Sequence, residues 1–386
     1  MTTAPPRPSP QARPAQPYVV FGPGSVRSLA QVLARFGDER PPLVLAGYGS
    51  GGRTWLSDLR GTLPAHVFAT LPSGYPTWAK IDRVSDLMAR LDTGPIVAIG
   101  GGSVVDTAKV AAVRAAEAAG TARRPVTAVP TTPGTGAEVT PFATVWDFTG
   151  GRKDSYSGTG VTPDAVVVDP ELTRTLAVEA LGGMVFDTLA QGMEGAWSAG
   201  STPEAAAHGI GAVALASANL ERLLTDPDDL AARSAISLAG LYSGRAIAVA
   251  RTTACHALSY PMTLRHGIAH GHACGLTLGA VLGYNAGTTE ADCQHPAGVR
   301  GVRDVVARIL DALHCDAPGA AVRRLEHLLA AAGLPGYGTH DFDDRRLAAE
   351  AMRYDRADNN PRRIDRDRLG SLLAELRRSS SPRSER

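Results

Sequence analysis

The sequence predicts an α/β domain built on a parallel sheet, followed by an all-α domain. Three observations carry that reading. Between Tyr18 and Val168, strand-sized apolar runs alternate with helical stretches, the pattern of a sheet covered on both faces. From about Leu176 the strand runs disappear and alanine and leucine dominate, as in AAAHGIGAVALASANLERLL and LAARSAISLAGLYSGRAIAVA. A chain of 386 residues is also long for one hydrophobic core, so two domains are expected.

Taken in order, Tyr18–Phe21 reads as a strand, and GPGS turns it into the helix VRSLAQVLARFG. Leu43–Gly47 is the next strand and ends in GYGSGG; His66–Ala69 follows. Pro95–Gly100 leads through GGGS into a helix from Val104 to about Ala119, and Val126–Val129 and Val166–Val168 complete the strands. The boundary is expected near Asp169–Leu181, giving domains over 18–178 and 179–378. The Pro-rich start, residues 1–17, and the tail SSSPRSER, residues 379–386, are expected to be disordered.

Bulk properties exclude several classes. With 39 basic and 38 acidic residues the formal charge is +1, so no basic face for nucleic acid is expected. No apolar run approaches the roughly 20 residues that span a membrane. The N-terminus has no apolar core of a secretory signal. Four scattered cysteines make no disulfide framework, and a cytoplasmic location is expected.

The segment ACHALSYPMTLRHGIAHGHAC, residues 254–274, holds four of the chain's ten histidines: His256, His266, His270 and His272. Pro261 and Gly267 are expected to break its helix, so that His256 and His270 can aim at one point. Imidazole is the commonest side-chain metal ligand near neutral pH. A second segment, FDTLAQGMEGAW, places Asp187 and Gln191 four residues apart on one helix face. One carboxylate, one amide and two imidazoles suit a divalent metal such as Fe(II) or Zn(II). Cys255 and Cys274 flank the histidines and could ligate metal, although small, commonly buried side chains of this kind read first as core fillers.

Two glycine-rich turns follow apolar strands. IGGGSVVDTAK, residues 99–109, joins a strand to a helix N-terminus, where backbone N–H groups can meet a phosphate. PTTPGTGAEVT, residues 130–140, is a second such turn. In a parallel sheet both lie along the C-terminal edge, where cofactors bind.

Together, FGPGS, GGGSVVDTAK, PTTPGTGAEVT, PDAVVVDPELT, the Asp187 helix and the histidine cluster resemble the iron-containing (group III) alcohol dehydrogenases over roughly residues 18 to 375. That resemblance implies a nucleotide-binding domain similar to dehydroquinate synthase, a helical domain, and a divalent metal in the cleft between them. It puts Asp187, Gln191, His256 and His270 on the metal positions. It puts Gly101, Gly102, Ser103, Thr131, Thr132 and Lys153 on cofactor positions, and Asp106 and Thr135, in the same two motifs, join that set. Two departures stand out. The family usually has histidine at Gln191, and often has histidine where this chain has Tyr260. The wording of the cluster is similar to that of the phosphonoacetaldehyde reductases of phosphonate natural-product pathways.

The implied reaction is hydride transfer from a reduced nicotinamide to a small, anionic aldehyde, phosphonoacetaldehyde giving 2-hydroxyethylphosphonate. Tyr260, His266 or water would deliver the proton, and Arg265 would hold the anion by paired hydrogen bonds. The turn after Gly47 has no acidic residue to repel a 2′-phosphate and offers Ser50 and Arg53, which favours NADPH over NADH. A group III dehydrogenase for a small uncharged aldehyde and a dehydroquinate synthase-like lyase are the alternatives. A homodimer is a further expectation.

Overall fold

A computed structural model describes residues 16–47, 63, 65–158 and 160–380. Its described strands are β1 (Tyr18–Phe21), β2 (Leu43–Gly47), β3 (Val67–Leu71), β4 (Ile96–Gly100), β5 (Val126–Pro130), β6 (Phe142–Asp147), β7 (Arg152–Ser157) and β8 (Ala165–Val168). Six of them form one sheet in the order β1-β8-β5-β4-β2-β3, and all its pairings are parallel. Alternation along β4 shows why its sequence is apolar throughout. Ile96 and Ala98 enter the core beneath helices α2 (Trp78–Arg90) and α3 (Gly102–Ala119). Val97 and Ile99 enter the opposite core with Leu29, Val32 and Leu33 of α1 (Leu29–Ala34). A strand buried on both faces has no polar side to display.

Three details differ from expectation. The first helix is shorter: Ser25–Ser28 form a 3₁₀ turn before α1. The third strand sits slightly later, because its pairing with β2 sets Leu43 against Val67 and Gly47 against Leu71. An antiparallel hairpin, β6–β7, was not anticipated. Its second strand, RKDSYS, is polar and mostly uncovered, so it carries no apolar run.

The second half is helical: α4 (Val178–Trp197), α5 (Pro203–Thr225), α6 (Leu230–Ala250), α7 (Ala254–His266), α8 (His270–Ala286), α9 (Gly298–Ala312), α10 (Pro318–Ala331), α11 (Asp344–Ala351) and α12 (Arg366–Ser380). α4 is the hub, with Leu181, Val185, Phe186, Leu189, Met193 and Trp197 all buried in the same cluster. Its apolar residues pack into that interior, while Asp187, Gln191 and Glu194 share one polar stripe. α5 starts on a Thr202 cap, whose hydroxyl accepts from the Ala205 N–H at 3.2 Å, and has Pro203 in its first turn.

One expectation about this half is corrected. Pro261 does not break its helix; α7 runs through it and ends at Gly267, which adopts a left-handed conformation. Residues 254–263 of α7 are all buried, and tertiary packing outweighs the hydrogen bond lost at proline. No helix among the described residues is long and apolar enough to cross a membrane.

Candidate active site

The C-terminal edge of the sheet and the helical half enclose a cavity of about 440 Å³. That volume is in the range of small-molecule sites, roughly 300–1,000 Å³. Its two walls are built differently.

The sheet-side wall is backbone. Gly101 caps the N-terminus of α3, and no side chain caps that end. The second loop lies against it so closely that a Cβ on Gly102 would stand 2.5 Å from Thr135 Oγ1. Gly101, Gly102, Ser103, Thr132 and Thr135 all line the cavity. A helix N-terminus open beside a glycine cradle fits a pyrophosphate. Behind it, the buried Lys109 ammonium donates to Ala137 O at 2.8 Å, Phe142 O at 2.6 Å and Thr140 Oγ1 at 3.2 Å. Lys109 thereby ties α3, the second loop and the hairpin together.

The helical wall is made of side chains. α4 and α8 cross where a Cβ on Gly271 would lie 2.0 Å from Gly183 O. Only glycine permits that approach, and it brings Asp187 against the start of α8. Asp187 Oδ1 is 3.4 Å from His256 Nε2 and 3.9 Å from His270 Nε2. The other ring nitrogens fix both tautomers. His256 Nδ1 donates to Glu194 Oε2. Ser259 Oγ donates to His256 O at 2.7 Å and therefore accepts from His270 Nδ1 at 3.2 Å. Both Nε2 atoms thus face Asp187; a metal bound there would take the place of the proton that His256 Nε2 shares with Asp187. Burial holds the His270 pKa down at about 4, so its imidazole is neutral. Burial raises Asp187, but the hydrogen bond and charge of His256 outweigh it and hold the carboxyl below its usual range. A ligand atom of Cys274 lies within 4.8 Å of those of Asp187, His256 and His270. This donor chemistry fits a divalent ion.

Glu194 was not anticipated. Its Oε1 accepts from Thr253 Oγ1 and the Cys255 N–H, both at 2.7 Å, and the residue is fully buried. The signal existed: Asp187, Gln191 and Glu194 recur at i, i+4 and i+7 on one helix face.

The hairpin supplies a third group. Register pairs Trp146 with Lys153, and both line the cavity. Lys153 Nζ donates to the Tyr260 hydroxyl at 3.1 Å. Burial raises the Tyr260 pKa, but the charges of Lys153, His256 and Arg356 outweigh it and hold it below the usual tyrosine value. Trp146 packs against Tyr75 at 4.7 Å and stands edge-on to His270 at 6.0 Å between centroids.

Several expected site residues are elsewhere. Arg265 leaves the last turn of α7 toward α11, where its Nε donates to Glu350, and it does not line the cavity. His266 is exposed and sits edge-on to Phe342. Thr131 is buried at the end of β5, donating its N–H to Gly100 O at 3.0 Å, and Gly47 closes β2; neither lines the cavity. Asp106 lines it, but its carboxylate accepts from Thr144 N at 2.9 Å and pairs with Lys109 at 3.4 Å. Ser50 and Arg53 lie outside the described residues. Gln191 lines the cavity with its oxygen engaged, accepting from Ser243 Oγ at 2.9 Å.

Two arginines that the sequence reading passed over do line the cavity: Arg251 and Arg356. The Arg356 side chain is only 11% exposed. Arg251 follows α6 with φ 63° and ψ 179°, a conformation rare outside glycine. Its flanking carbonyls hold it there. Asn359 Nδ2 donates to Ala250 O at 2.8 Å and to Thr252 O at 3.1 Å, and Ser198 Oγ donates to Ala250 O at 2.9 Å.

Comparison with known proteins now decides the family. The iron-containing alcohol dehydrogenase model matches residues 17–170, and the model of the family's C-terminal part matches residues 180–376. The chain belongs to the iron-containing alcohol dehydrogenase family. It is accordingly a nicotinamide-dependent oxidoreductase whose family uses a metal. Phosphonoacetaldehyde reductase of Streptomyces viridochromogenes is 43% identical to it over 376 residues, covering 91% of this chain and 94% of the relative. Maleylacetate reductase of Pseudomonas knackmussii is 29% identical over 383 residues, covering 95% and 97%. Among solved structures, sulfoacetaldehyde reductase from Bifidobacterium kashiwanohense in complex with NAD+ superposes with a TM-score of 0.82 at 26% identity, covering 95% and 98%. An iron-containing alcohol dehydrogenase from Thermococcus thioreducens shares the fold, with a TM-score of 0.81 at 22% identity over 94% and 98% of the two chains.

Proposed function

We propose that this protein reduces phosphonoacetaldehyde to 2-hydroxyethylphosphonate with NADPH and a divalent metal. One observation carries the proposal: a single cavity joins the Asp187–His256–His270 cluster to two guanidinium groups, Arg251 and Arg356. The name of the Streptomyces viridochromogenes relative supports the same substrate.

Asp187, His256 and His270 would hold the metal, Fe(II) or Zn(II), and Gly101, Gly102, Ser103, Thr132 and Thr135 would receive the cofactor's pyrophosphate. When bound, the metal supplies Lewis-acid polarisation of a carbonyl oxygen, and the reduced nicotinamide supplies the hydride. The chain's own residues do the rest. Arg251 and Arg356 orient the aldehyde by its phosphonate, which guanidinium matches with paired hydrogen bonds. The backbone conformation at Arg251, costing about 1–3 kcal/mol and held by Asn359 and Ser198, fixes the point from which its side chain enters the cavity. The Tyr260 hydroxyl gives its proton to the product oxygen, and Lys153 stabilises the phenolate left behind. Trp146 and Tyr75 keep water from the reacting face.

The preference for NADPH rests on the absence of Asp or Glu in residues 47–53. A homodimer is the assembly implied by the family resemblance, and the buried free thiols Cys255 and Cys274 fit a reducing, cytoplasmic setting.

The test is an assay of NADPH oxidation by metal-reconstituted protein. Phosphonoacetaldehyde should be consumed in step with NADPH, with chelation abolishing turnover. Faster reduction of propanal, or use of NADH alone, would contradict the substrate or cofactor assignment.

A further inference from the structure

We propose that Cys274, and not Gln191, is the fourth protein donor to the metal. The inference rests on the metal reading above and concerns which side chain completes it.

Gln191 is committed elsewhere. Its Nε2 faces Asp187 Oδ1 at 3.0 Å and Thr135 O at 3.3 Å. Both are acceptors, and the Thr135 carbonyl can be nothing else, so the group facing them must be the NH₂. The amide oxygen then points to Ser243 Oγ. Turning it would set the amide oxygen against the Thr135 carbonyl and forfeit the hydrogen bond to it. An amide nitrogen does not ligate.

Cys274 is placed to replace it. It lies one helical turn beyond His270 on α8, on the same face. With Asp187, His256 and His270 it forms the one group of donor side chains found among the described residues with all ligand atoms within 4.8 Å of one another. Its surroundings also separate it from the substrate. Asp187, His256 and His270 line the cavity, whereas Cys274 is fully buried and does not. Cys274 would therefore hold the metal from the buried side, while the other three donors also face the cavity. Cys255 is equally buried but belongs to no such group. To hold the metal, Cys274 would ligate as the thiolate, with its Sγ–H proton released to solvent. A thiolate favours zinc over harder ions, so the substitution of glutamine for the family's histidine becomes a change of donor type.

The experiment uses the full chain, stripped of metal and loaded with cobalt(II), with binding followed by equilibrium dialysis and absorption. Wild type should bind cobalt and show a near-ultraviolet thiolate-to-cobalt charge-transfer band. Cys274→Ser should lose the band and bind at least about 10- to 100-fold more weakly, the range seen when even an outer partner is lost. Gln191→Leu and Cys255→Ser should keep the band. Cobalt bound by wild type without the band overturns the proposal and leaves the metal reading intact. No bound cobalt at all overturns the metal reading, and this proposal with it. Should Cys274→Ser fail to fold, the wild-type and Cys255→Ser spectra still decide, since Cys255 is the other buried thiol.

Discussion

The two walls of the cavity place functional atoms by opposite means. On the sheet side, backbone groups at Gly101 and Gly102 come forward because nothing projects from them. On the helical side, Asp187, His256 and His270 reach inward from three helices, each held by a buried partner. The first wall depends on a short stretch of chain and its turn geometry. The second depends on helix crossings between segments some 70 residues apart in sequence. A backbone wall is therefore broken by adding atoms, and a side-chain wall by removing them.

The largest effect is expected on the side-chain wall. His256→Ala should lose bound metal and lower kcat/KM about 1,000-fold, since Lewis-acid stabilisation is worth several kcal/mol and each 1.4 kcal/mol is tenfold. Glu194→Gln, which leaves every cavity-lining donor in place, should weaken metal affinity by about 10- to 100-fold. Metal analysis of the purified variants checks both. If Glu194→Gln binds metal as tightly as wild type, the buried partner has no part in holding the wall.

Behind the backbone wall sits an ionisable group with its own signature. Burial raises the Glu138 pKa to about 7 from 4.5. Its folded pKa is raised, so its contribution to stability is present below about pH 4.5 and is lost as pH rises through about 7. Across that window Glu138→Gln should gain about 3 kcal/mol relative to wild type, at 1.36 kcal/mol per unit. Denaturant melts at both ends of the window measure it. An equal difference between variant and wild type at both pH values would show that Glu138 does not titrate there.

Adding atoms tests the backbone wall itself. Gly102→Ala would push a methyl into Thr135 Oγ1, and a displacement near 1 Å costs about 100-fold in rate. The loss should appear in kcat/KM with NADPH, accompanied by a weaker Kd for NADPH measured by fluorescence, with metal content unchanged. Lost metal would mean that the walls are not independent.

Legibility in the sequence follows the same division. The sheet was readable because β2 and β4 are apolar throughout and β5 nearly so, and GGGS and PTTPGTG announce their turns in consecutive residues. Asp187, His256 and His270 were readable as residue types and by resemblance. Groups defined by tertiary contact were not. Arg265 lies close to His270 in sequence but projects to Glu350, while Arg356 arrives from a turn far along the chain. Lys153 depends on a hairpin whose polar second strand gave no apolar signal, although the DFTGG turn before it was a usable cue. Arg251 depends on a backbone conformation that nothing in its neighbours' identities prescribes.

The smallest effect separates the arginines. Arg265→Ala should change KM for phosphonoacetaldehyde little and stability by about 1 kcal/mol, since Arg346 still pairs with the Glu350 carboxylate left behind. A tenfold rise in KM would return Arg265 to the substrate site.

The central claim is that one cavity couples a metal-bearing wall to an anion clamp. Its most direct test is the ratio of kcat/KM for phosphonoacetaldehyde to that for propanal, measured in wild type and in the Arg251→Ala/Arg356→Ala double variant. A charged hydrogen bond contributes roughly 1.5–3 kcal/mol. The ratio should therefore fall by at least about 100-fold in the double variant, with propanal reduction nearly unchanged. A ratio that stays constant while both activities drop would contradict the account, because the two arginines would then support the fold and not the substrate.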